Sequence, residues 1–444
     1  MTNLPKPSSV RGNGIWDAAQ QGISTLANAV ISLLVVTALS MEDYGAYSYA
    51  IAVTGIAMSI MNAGLGGLVV RYLVEHRSQN RALVTAMLIS RSALACAGYA
   101  CAALLALTAG SEVVLVATLV ALVALFGKAL EGPEAWFLSQ LRSRRTATLR
   151  VSVTLVAFSA RLAAIIFFPS LLVFVALFVL EAILSGIAIL VAYLREPDSP
   201  GLSRPDIRTS VELIRESLPL LLSGIANQVT LKANVIIVQA LLGATSVAVF
   251  SVAARISELA YFLPVVFMNS LLPHLMSLRF ESEDHSAYKA MMKKAYGRAL
   301  WAGIGVGLVV GVASAFAIPW IFGPEYGDSV PVLAIYLCAT PFVFMAAVYS
   351  KWIIVEKVLW ASLVRHCIGA IVSIGASIAL VPVAGVTGAA AATVLAYVSA
   401  SYVAAFFSRL TRGQAILMSS AWLYPLTLIG RRRTGGMQHR GGRS

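Results

Sequence analysis

The sequence predicts an all-α integral membrane protein, with about 12 transmembrane helices in two pseudo-symmetric six-helix bundles around a central cavity. Three observations predict it. Twelve apolar segments each meet or exceed the roughly 20 residues needed to cross hydrocarbon. None of the 33 Lys and Arg residues falls in the six short connections that face outward if those segments span in alternation. The chain also repeats itself: Tyr44-Gly45-Ala46-Tyr47-Ser48-Tyr49-Ala50 matches Val247-Ala248-Val249-Phe250-Ser251-Val252-Ala253, each at the start of an even-numbered helix.

The predicted spans run from 15 to 39, 44 to 70, 82 to 108, 113 to 138, 148 to 168, 171 to 194, 217 to 242, 246 to 275, 299 to 321, 331 to 350, 359 to 381 and 385 to 408. Cations crowd the N-terminus, the connections 71 to 81, 142 to 150, 195 to 215, 276 to 298 and 351 to 357, and the tail. The opposite connections carry only acids, among them Glu42, Asp43, Glu112, Glu325 and Asp328. Positive connections stay cytoplasmic, so both termini are expected inside a plasma (inner) membrane. An even number of helices per half gives the halves the same orientation, related by an axis along the membrane normal. The expected domains are an N-terminal lobe, 1 to 195, a Pro- and charge-rich linker, 196 to 215, a C-terminal lobe, 216 to 412, and a cytoplasmic tail, 413 to 444. The apolar stretch 415 to 430 is followed by Arg431, Arg432 and Arg433, which favours an interfacial segment over a span.

Composition agrees, with 59% hydrophobic and 12% charged residues, where a soluble fold holds about 25% charged. The net charge of +13 is spread over seven segments without aromatic interleaving, so it reads as topology signal and anionic-lipid contact, not nucleic-acid binding. Cys96, Cys101, Cys338 and Cys367 lie inside apolar segments and suggest neither disulfides nor zinc. The first segment lacks a small-residue cleavage site and is expected to be a retained helix.

Ionisable groups inside the spans are the candidate machinery, because each costs at least about 2.5 kcal/mol at the bilayer centre unless it faces protein or water. They are Arg91, Lys128, Arg161, Lys232, Arg255 and Arg365, with Asp17, Glu131, Glu134, Glu181 and Glu258. Asp17, Arg91 and Arg365 lie near span ends, where snorkelling is the simpler reading. Lys128 with Glu131, and Arg255 with Glu258, are three residues apart and can pair along one helix. Lys232 sits mid-span with no acid within four positions. At about 100° per residue, polar residues form stripes on helices 1, 2, 7 and 8. Helix 1 carries Asp17, Gln21, Ser24, Asn28 and Ser32, and helix 2 carries Tyr44, Ser48, Ser59 and Asn62. Gln228, Lys232 and Gln239 share one stripe of helix 7, and Asn227 and Asn234 share another. Helix 8 aligns Ser251, Arg255, Glu258 and Asn269. Such stripes glue helices together, but on repeat-related helices they are expected to line the cavity. A cavity holding Lys232 and Arg255 suits a phosphate or pyrophosphate. Asp17, Glu181 or Glu258 are candidates for coupling to Na⁺ or H⁺.

The stretches Leu218-Pro219-Leu220-Leu221-Leu222-Ser223-Gly224, Phe250 to Ile256 after the Gly243 turn, Ser270-Leu271-Leu272-Pro273, Phe322-Gly323-Pro324-Glu325-Tyr326 and Val381 to Ala390, with Tyr44-Gly45-Ala46-Tyr47, resemble the polysaccharide-transporter family of Wzx-type oligosaccharide flippases. The resemblance runs from about 15 to 408 in the family's order. It implies two six-helix lobes, alternating access and movement of polyprenyl-diphosphate-linked oligosaccharide from the cytoplasmic to the outer leaflet for surface polysaccharide biosynthesis. Arg255 is the positional match to the lumenal cations that hold pyrophosphate in related flippases; Lys232 comes from the stripe argument. Sugars are expected on Asn28, Asn62, Asn227, Gln228 and Asn234, with the lipid tail left in the bilayer. Expected partners are membrane lipids and the polymerase and glycosyltransferases of the same pathway. The rival readings are a lipid-linked peptidoglycan precursor flippase or a cation-coupled multidrug exporter of the same superfamily, and a scaffold or enzyme of envelope polysaccharide assembly. An enzyme is disfavoured: the longest outward connection is short, no loop is Asp-rich, and His274 and His285 have no partners at ligand spacing. No cofactor is expected, and without a GxxxxGK[ST] phosphate loop neither is ATP hydrolysis.

Overall fold

The computed structural model describes residues 30 to 424 apart from 63, 77, 78, 205, 206 and 281 to 284, together with 20, 22, 24, 27 and 28 ahead of them. Helix α1 is described at these early positions and from 30 to 38. There follow α2 (Met41–Asn62), α3 (Leu65–Glu75), α4 (Asn80–Ala106), α5 (Glu112–Leu122), α6 (Ala124–Ala129), α7 (Glu134–Ser139), α8 (Ser143–Phe167), α9 (Leu171–Leu194), α10 (Ile207–Leu242), α11 (Ala244–Phe280), α12 (His285–Phe322), α13 (Ser329–Leu337), α14 (Thr340–Val355), α15 (Leu359–Ser401) and α16 (Arg409–Ser420).

Among the described residues, nine helical segments are long and apolar enough to cross a membrane, and a tenth forms if α13 and α14, bent by 42°, make one span. The 43 residues of α15 would extend ~65 Å, about twice the ~30 Å of hydrocarbon. The helix breaks at Gly385, whose φ of 59° and ψ of −138° suit a residue without Cβ, so it supplies the two crossings expected from 359 to 381 and 385 to 408. With α15 taken as two, the described residues hold up to 11 crossings, and the first expected span lies largely outside them. Their outer surface is apolar in a way water would not tolerate, with Trp320 85% and Phe316 77% exposed. Helices α10, α11 and α12 hold 36, 37 and 38 residues, ~54–57 Å each, so each has an end that outruns the hydrocarbon. Arg208 and Arg215 at the start of α10, Arg279 at the end of α11 and Lys289, Lys293, Lys294 and Arg298 in the first part of α12 occupy those ends.

The chain groups into two compact units, Met1–Arg255 and Ile256–Ser444. In the first, α2 packs on α4, α5 and α10, and α9 packs on α5, α6 and α8. Trp136, buried with Phe137 and Leu73, meets the Tyr193 ring edge-on at 5.5 Å. The segment after α9 is fastened to this unit. Arg142 pairs with Glu196 at 2.8 Å and Asp198 at 2.6 Å, and Arg145 also holds Glu196. Arg81 donates to the Leu202 carbonyl at 2.6 Å, and the Ser203 amide donates to Thr85 Oγ1 at 2.9 Å.

In the second unit α12 and α14 share a core in which Leu300, Met345, Val348 and Trp352 are buried. Tyr349 stacks on Trp352 at 5.8 Å, and the Arg365 guanidinium lies 5.8 Å from the Tyr349 ring centre. At an end of α11, Arg279 reaches both Glu356 oxygens, at 2.8 and 3.1 Å. Hydrogen bonding and charge from that carboxylate raise the Arg279 pKa further. Helix α16 has 12 residues, ~18 Å and too short to span. It opens on Ser408, which accepts from the Leu410 amide, and it docks on α12 through Gln414, whose Oε1 accepts from the Tyr296 hydroxyl at 3.1 Å.

One contact of the first unit positions the site. Helices α6 and α9 cross where Gly127 faces Gly186, so closely that a Cβ on Gly186 would lie 2.0 Å from the Gly127 carbonyl oxygen and one on Gly127 2.6 Å from the Ala182 carbonyl carbon. Small residues let backbones approach in this way. Gly186→Leu should therefore lower the thermal midpoint of the purified protein, by the equivalent of about 1–3 kcal/mol or more. Gly66→Ala, at an exposed position of α3 where nothing lies within 4 Å, should shift stability by less than about 0.5 kcal/mol. Equal midpoints for the two variants would show that the crossing is not tight.

Candidate functional site

The span expected from 113 to 138 is broken. Regular α-helix stops at Ala129 and resumes at Glu134, and the intervening amides of Leu130, Glu131 and Gly132 bond three residues back. Irregular backbone at membrane depth survives only where protein buries it or water reaches it, and this break does both. Ser185, one residue before Gly186, donates to Glu131 Oε1 at 2.6 Å. Lys128 reaches the same oxygen at 2.7 Å, and Arg150 reaches Glu131 Oε2 at 2.6 Å and Glu134 at 2.6 Å. Glu131 is thereby 4% exposed yet fully engaged. The pairing of Lys128 with Glu131 along one helix is as the spacing implies, and Arg150 joins it from α8.

A cavity of about 220 Å³ opens beside this cluster, lined by residues from α1, α2, α6, α8, α9 and α11. Its polar lining is Asn28, Ser32, Tyr47, Lys128, Arg161, Glu181 and Arg255. Arg161, 3% exposed, pairs with Glu181 at 2.7 Å. A second cavity, about 160 Å³, shares Asn28, Lys128 and Glu181 with the first and adds Gln20, Ser24 and Arg150. A third, about 510 Å³, shares Lys128 and Arg150 with the second and adds Asn62, Arg91, Glu131 and Glu134. The walls of this run of cavities carry more cations than carboxylates, and every described wall residue belongs to the first compact unit.

The structure brings Asn28, Glu181 and Arg255 together around the first cavity. Asn62 lines the third and accepts from Arg91 at 2.9 Å. Gln228 acts as helix glue, donating to the Gly55 carbonyl of α2 at 3.3 Å, and buried Gln239 does the same to Ala109 at 3.2 Å. Lys232 and Asn227 are half-buried and Asn234 fully buried on α10, and none of the three is among the residues lining these cavities. Glu258 is half-buried on α11. Asp17 lies outside the described residues.

Sequence reasoning did not assign Arg161, Lys128 or Arg150 to a ligand cavity. A signal existed for the first: Arg161 has no acid within four positions, so its partner had to come from another helix. Arg150 looks like an end anchor because it ends a basic run, yet α8 begins at Ser143 and carries it into the wall.

The sequence matches the family described as "Polysaccharide biosynthesis protein" over residues 10–278. The chain belongs to this family. Among solved structures it is similar to lipid II flippase MurJ in an inward closed conformation, with a TM-score of 0.74, 14% identity, and coverage of 93% of this chain and 92% of that one. It is also similar to an inward-facing multidrug resistance MATE transporter of the MOP superfamily, with a TM-score of 0.66, 16% identity and coverage of 89% and 95%. A third similarity is to a MOP superfamily transporter from Pyrococcus furiosus, with a TM-score of 0.57, 15% identity and coverage of 93% and 96%. No curated protein matches the sequence. The fold is the one these membrane transporters share.

In this family member, Glu131→Ala should leave the half-buried Lys128 without its carboxylate and Arg150 with Glu134 alone. Breaking a buried pair from one side costs about 3–5 kcal/mol, and the partial exposure of these two cations sets the loss near the lower figure. Thermal unfolding in detergent should show a large drop, whereas Arg71→Ala, which breaks an exposed pair with Glu75 at 2.8 Å, should change it by about 1 kcal/mol or less. A small effect of Glu131→Ala would mean that water already reaches those charges.

Proposed function

We propose that this transporter moves polyprenyl-diphosphate-linked oligosaccharide from the cytoplasmic to the outer leaflet of the plasma (inner) membrane by alternating access, as a step in cell-surface polysaccharide biosynthesis. The observation that carries the reading is the chemistry of the first cavity. Arg255, Arg161 and Lys128 converge on it from three helices, with Glu181 as its one carboxylate among the described lining residues. A diphosphate is a compact dianion with several acceptor oxygens, and guanidinium groups match it in charge and in fork geometry. Arg255 is the principal diphosphate ligand in this reading, and Lys232 a second cation met along the path. Asn28 and Asn62, and Asn227, Gln228 and Asn234 in a different state of the transport cycle, offer amide donors and acceptors to sugar hydroxyls. The prenyl tail stays in the bilayer, because moving it into a polar lumen gains no hydrophobic free energy.

The lobes 1 to 195 and 216 to 412 rock about the segment between them, with both termini cytoplasmic. Uptake of Na⁺ or H⁺ at Asp17, Glu181 or Glu258 drives the cycle without ATP. Glu181 is the best placed of these, since its charge already offsets Arg161 at 2.7 Å; protonating it would free that guanidinium for an anionic ligand. Substrate arrives from glycosyltransferases on one face and passes to a polymerase on the other.

The test is translocation of a fluorescent polyprenyl-diphosphate oligosaccharide in proteoliposomes, scored by quenching from outside. Arg255→Ala should slow translocation by about tenfold or more, the worth of a charge-assisted hydrogen bond, at unchanged protein incorporation. Lys232→Ala should slow it less, and Lys232→Arg should restore it. Wild-type rates for Arg255→Ala would remove the cavity from the pathway.

A further inference from the structure

A second concavity lies in the other compact unit and has the opposite chemistry. It is a groove of about 360 Å³ between the latter part of α11, α12 and α14, with walls of Phe267, Leu271, Met291, Val306 and Phe344. Phe267 is 67% exposed, so the groove opens sideways. Two cations edge it, Lys294 and Arg298, four residues apart and therefore on one face of α12; both are exposed.

Lengths place this groove in depth. If the last ~20 residues of α12 cross the hydrocarbon and end at Phe322, the crossing begins near Gly303, with Arg298 ~7.5 Å and Lys294 ~13.5 Å above it, at and just past the headgroup layer. From Lys294 to Val306 the groove runs ~18 Å along the helix, and its lower end enters the hydrocarbon. The groove thus offers cations to a phosphate at the membrane surface and apolar walls to the upper part of one acyl chain. A polyprenyl chain, many isoprene units long, exceeds it, and a neutral headgroup leaves the two cations unused. Basic recesses between transmembrane helices at headgroup level bind anionic lipids through the same combination of charge and apolar contact.

We propose that α11, α12 and α14 form a binding site for one anionic phospholipid of the leaflet beside the cationic connections. One acyl chain lies along Phe267, Met291 and Val306, and the phosphate lies between Lys294 and Arg298. This rests on neither the cationic cavity nor the identity of the transported substrate.

The experiment uses the full chain in phosphatidylcholine nanodiscs containing a minor fraction of phosphatidylglycerol, with lipid retained on the released protein counted by native mass spectrometry. Wild type should retain one phosphatidylglycerol. The double substitution Lys294→Gln and Arg298→Gln should weaken retention about twenty-five-fold, some fivefold for each cation near the surface. Lys289→Gln with Lys293→Gln, on the same helix but outside the groove, should leave it unchanged. Ala302→Trp, which fills the groove without altering charge, should abolish it. Retention unchanged by both the Lys294/Arg298 pair and Ala302→Trp overturns the proposal, as does equal retention of phosphatidylcholine. Displacement of phosphatidylglycerol by an equimolar polyprenyl phosphate also overturns it, assigning the groove to the prenyl carrier.

Discussion

Hydrocarbon offers a charge nothing to bind, and in this protein the consequence is concentrated at one carboxylate. Glu131 lies within a transmembrane segment and is held by Lys128, Arg150 and Ser185 at 2.6–2.7 Å. Each partner depends on a different feature of the fold. Lys128 reaches it because three residues along one helix bring side chains together, Arg150 because α8 starts early enough to carry it into the cavity wall, and Ser185 because Gly127 and Gly186 let α6 and α9 touch. A buried ion pair of this kind is weak evidence for stability and better evidence for a registered arrangement. Here it fixes α6, α8 and α9 around a water-accessible space.

That space inverts the usual distribution of polarity. Large Phe, Leu, Val and Trp side chains are exposed on the outer surface, while charged side chains line the cavities of the first unit, cations outnumbering carboxylates. A transporter of a diphosphate-bearing lipid needs this combination: an apolar exterior past which the tail slides and an interior that replaces the water lost by the headgroup. Arg161 is neutralised by Glu181, so in the proposed cycle ligand affinity is assigned to Arg255 and coupling to the acid.

Span positions were legible because bilayer thickness dictates them. Residues 359 to 381 and 385 to 408 read as two helices although α15 is continuous by hydrogen bonding, since Gly385 marks where ~65 Å of helix must divide. Arg255 and Asn28 were legible as cavity residues from their stripes, and Glu181 as an acid inside a span. The stripe on helix 7 was only half informative. Gln228 and Gln239 follow the same periodicity as a lumenal residue would, but their amides satisfy carbonyls of neighbouring elements, and one helix's periodicity carries no information about which neighbour it meets. The partnership of Arg161 with Glu181 was hidden for the same reason, being a contact between two helices with no local spacing to betray it. The break at 130 to 133 has a signal in Gly132-Pro133, which the apolar composition on both sides outweighed in favour of a continuous span.

The most direct measurement of the central claim, that the cationic cavity takes the diphosphate headgroup, is photocrosslinking. A polyprenyl-diphosphate saccharide carrying a diazirine on its first sugar would be activated on the reconstituted protein and the labelled peptides mapped by mass spectrometry. Label on α1, α2 and α9 near Asn28, Tyr47 and Phe178, competed by unmodified substrate, is the result this account predicts. Label confined to lipid-facing positions such as Phe167 and Phe316 would contradict it.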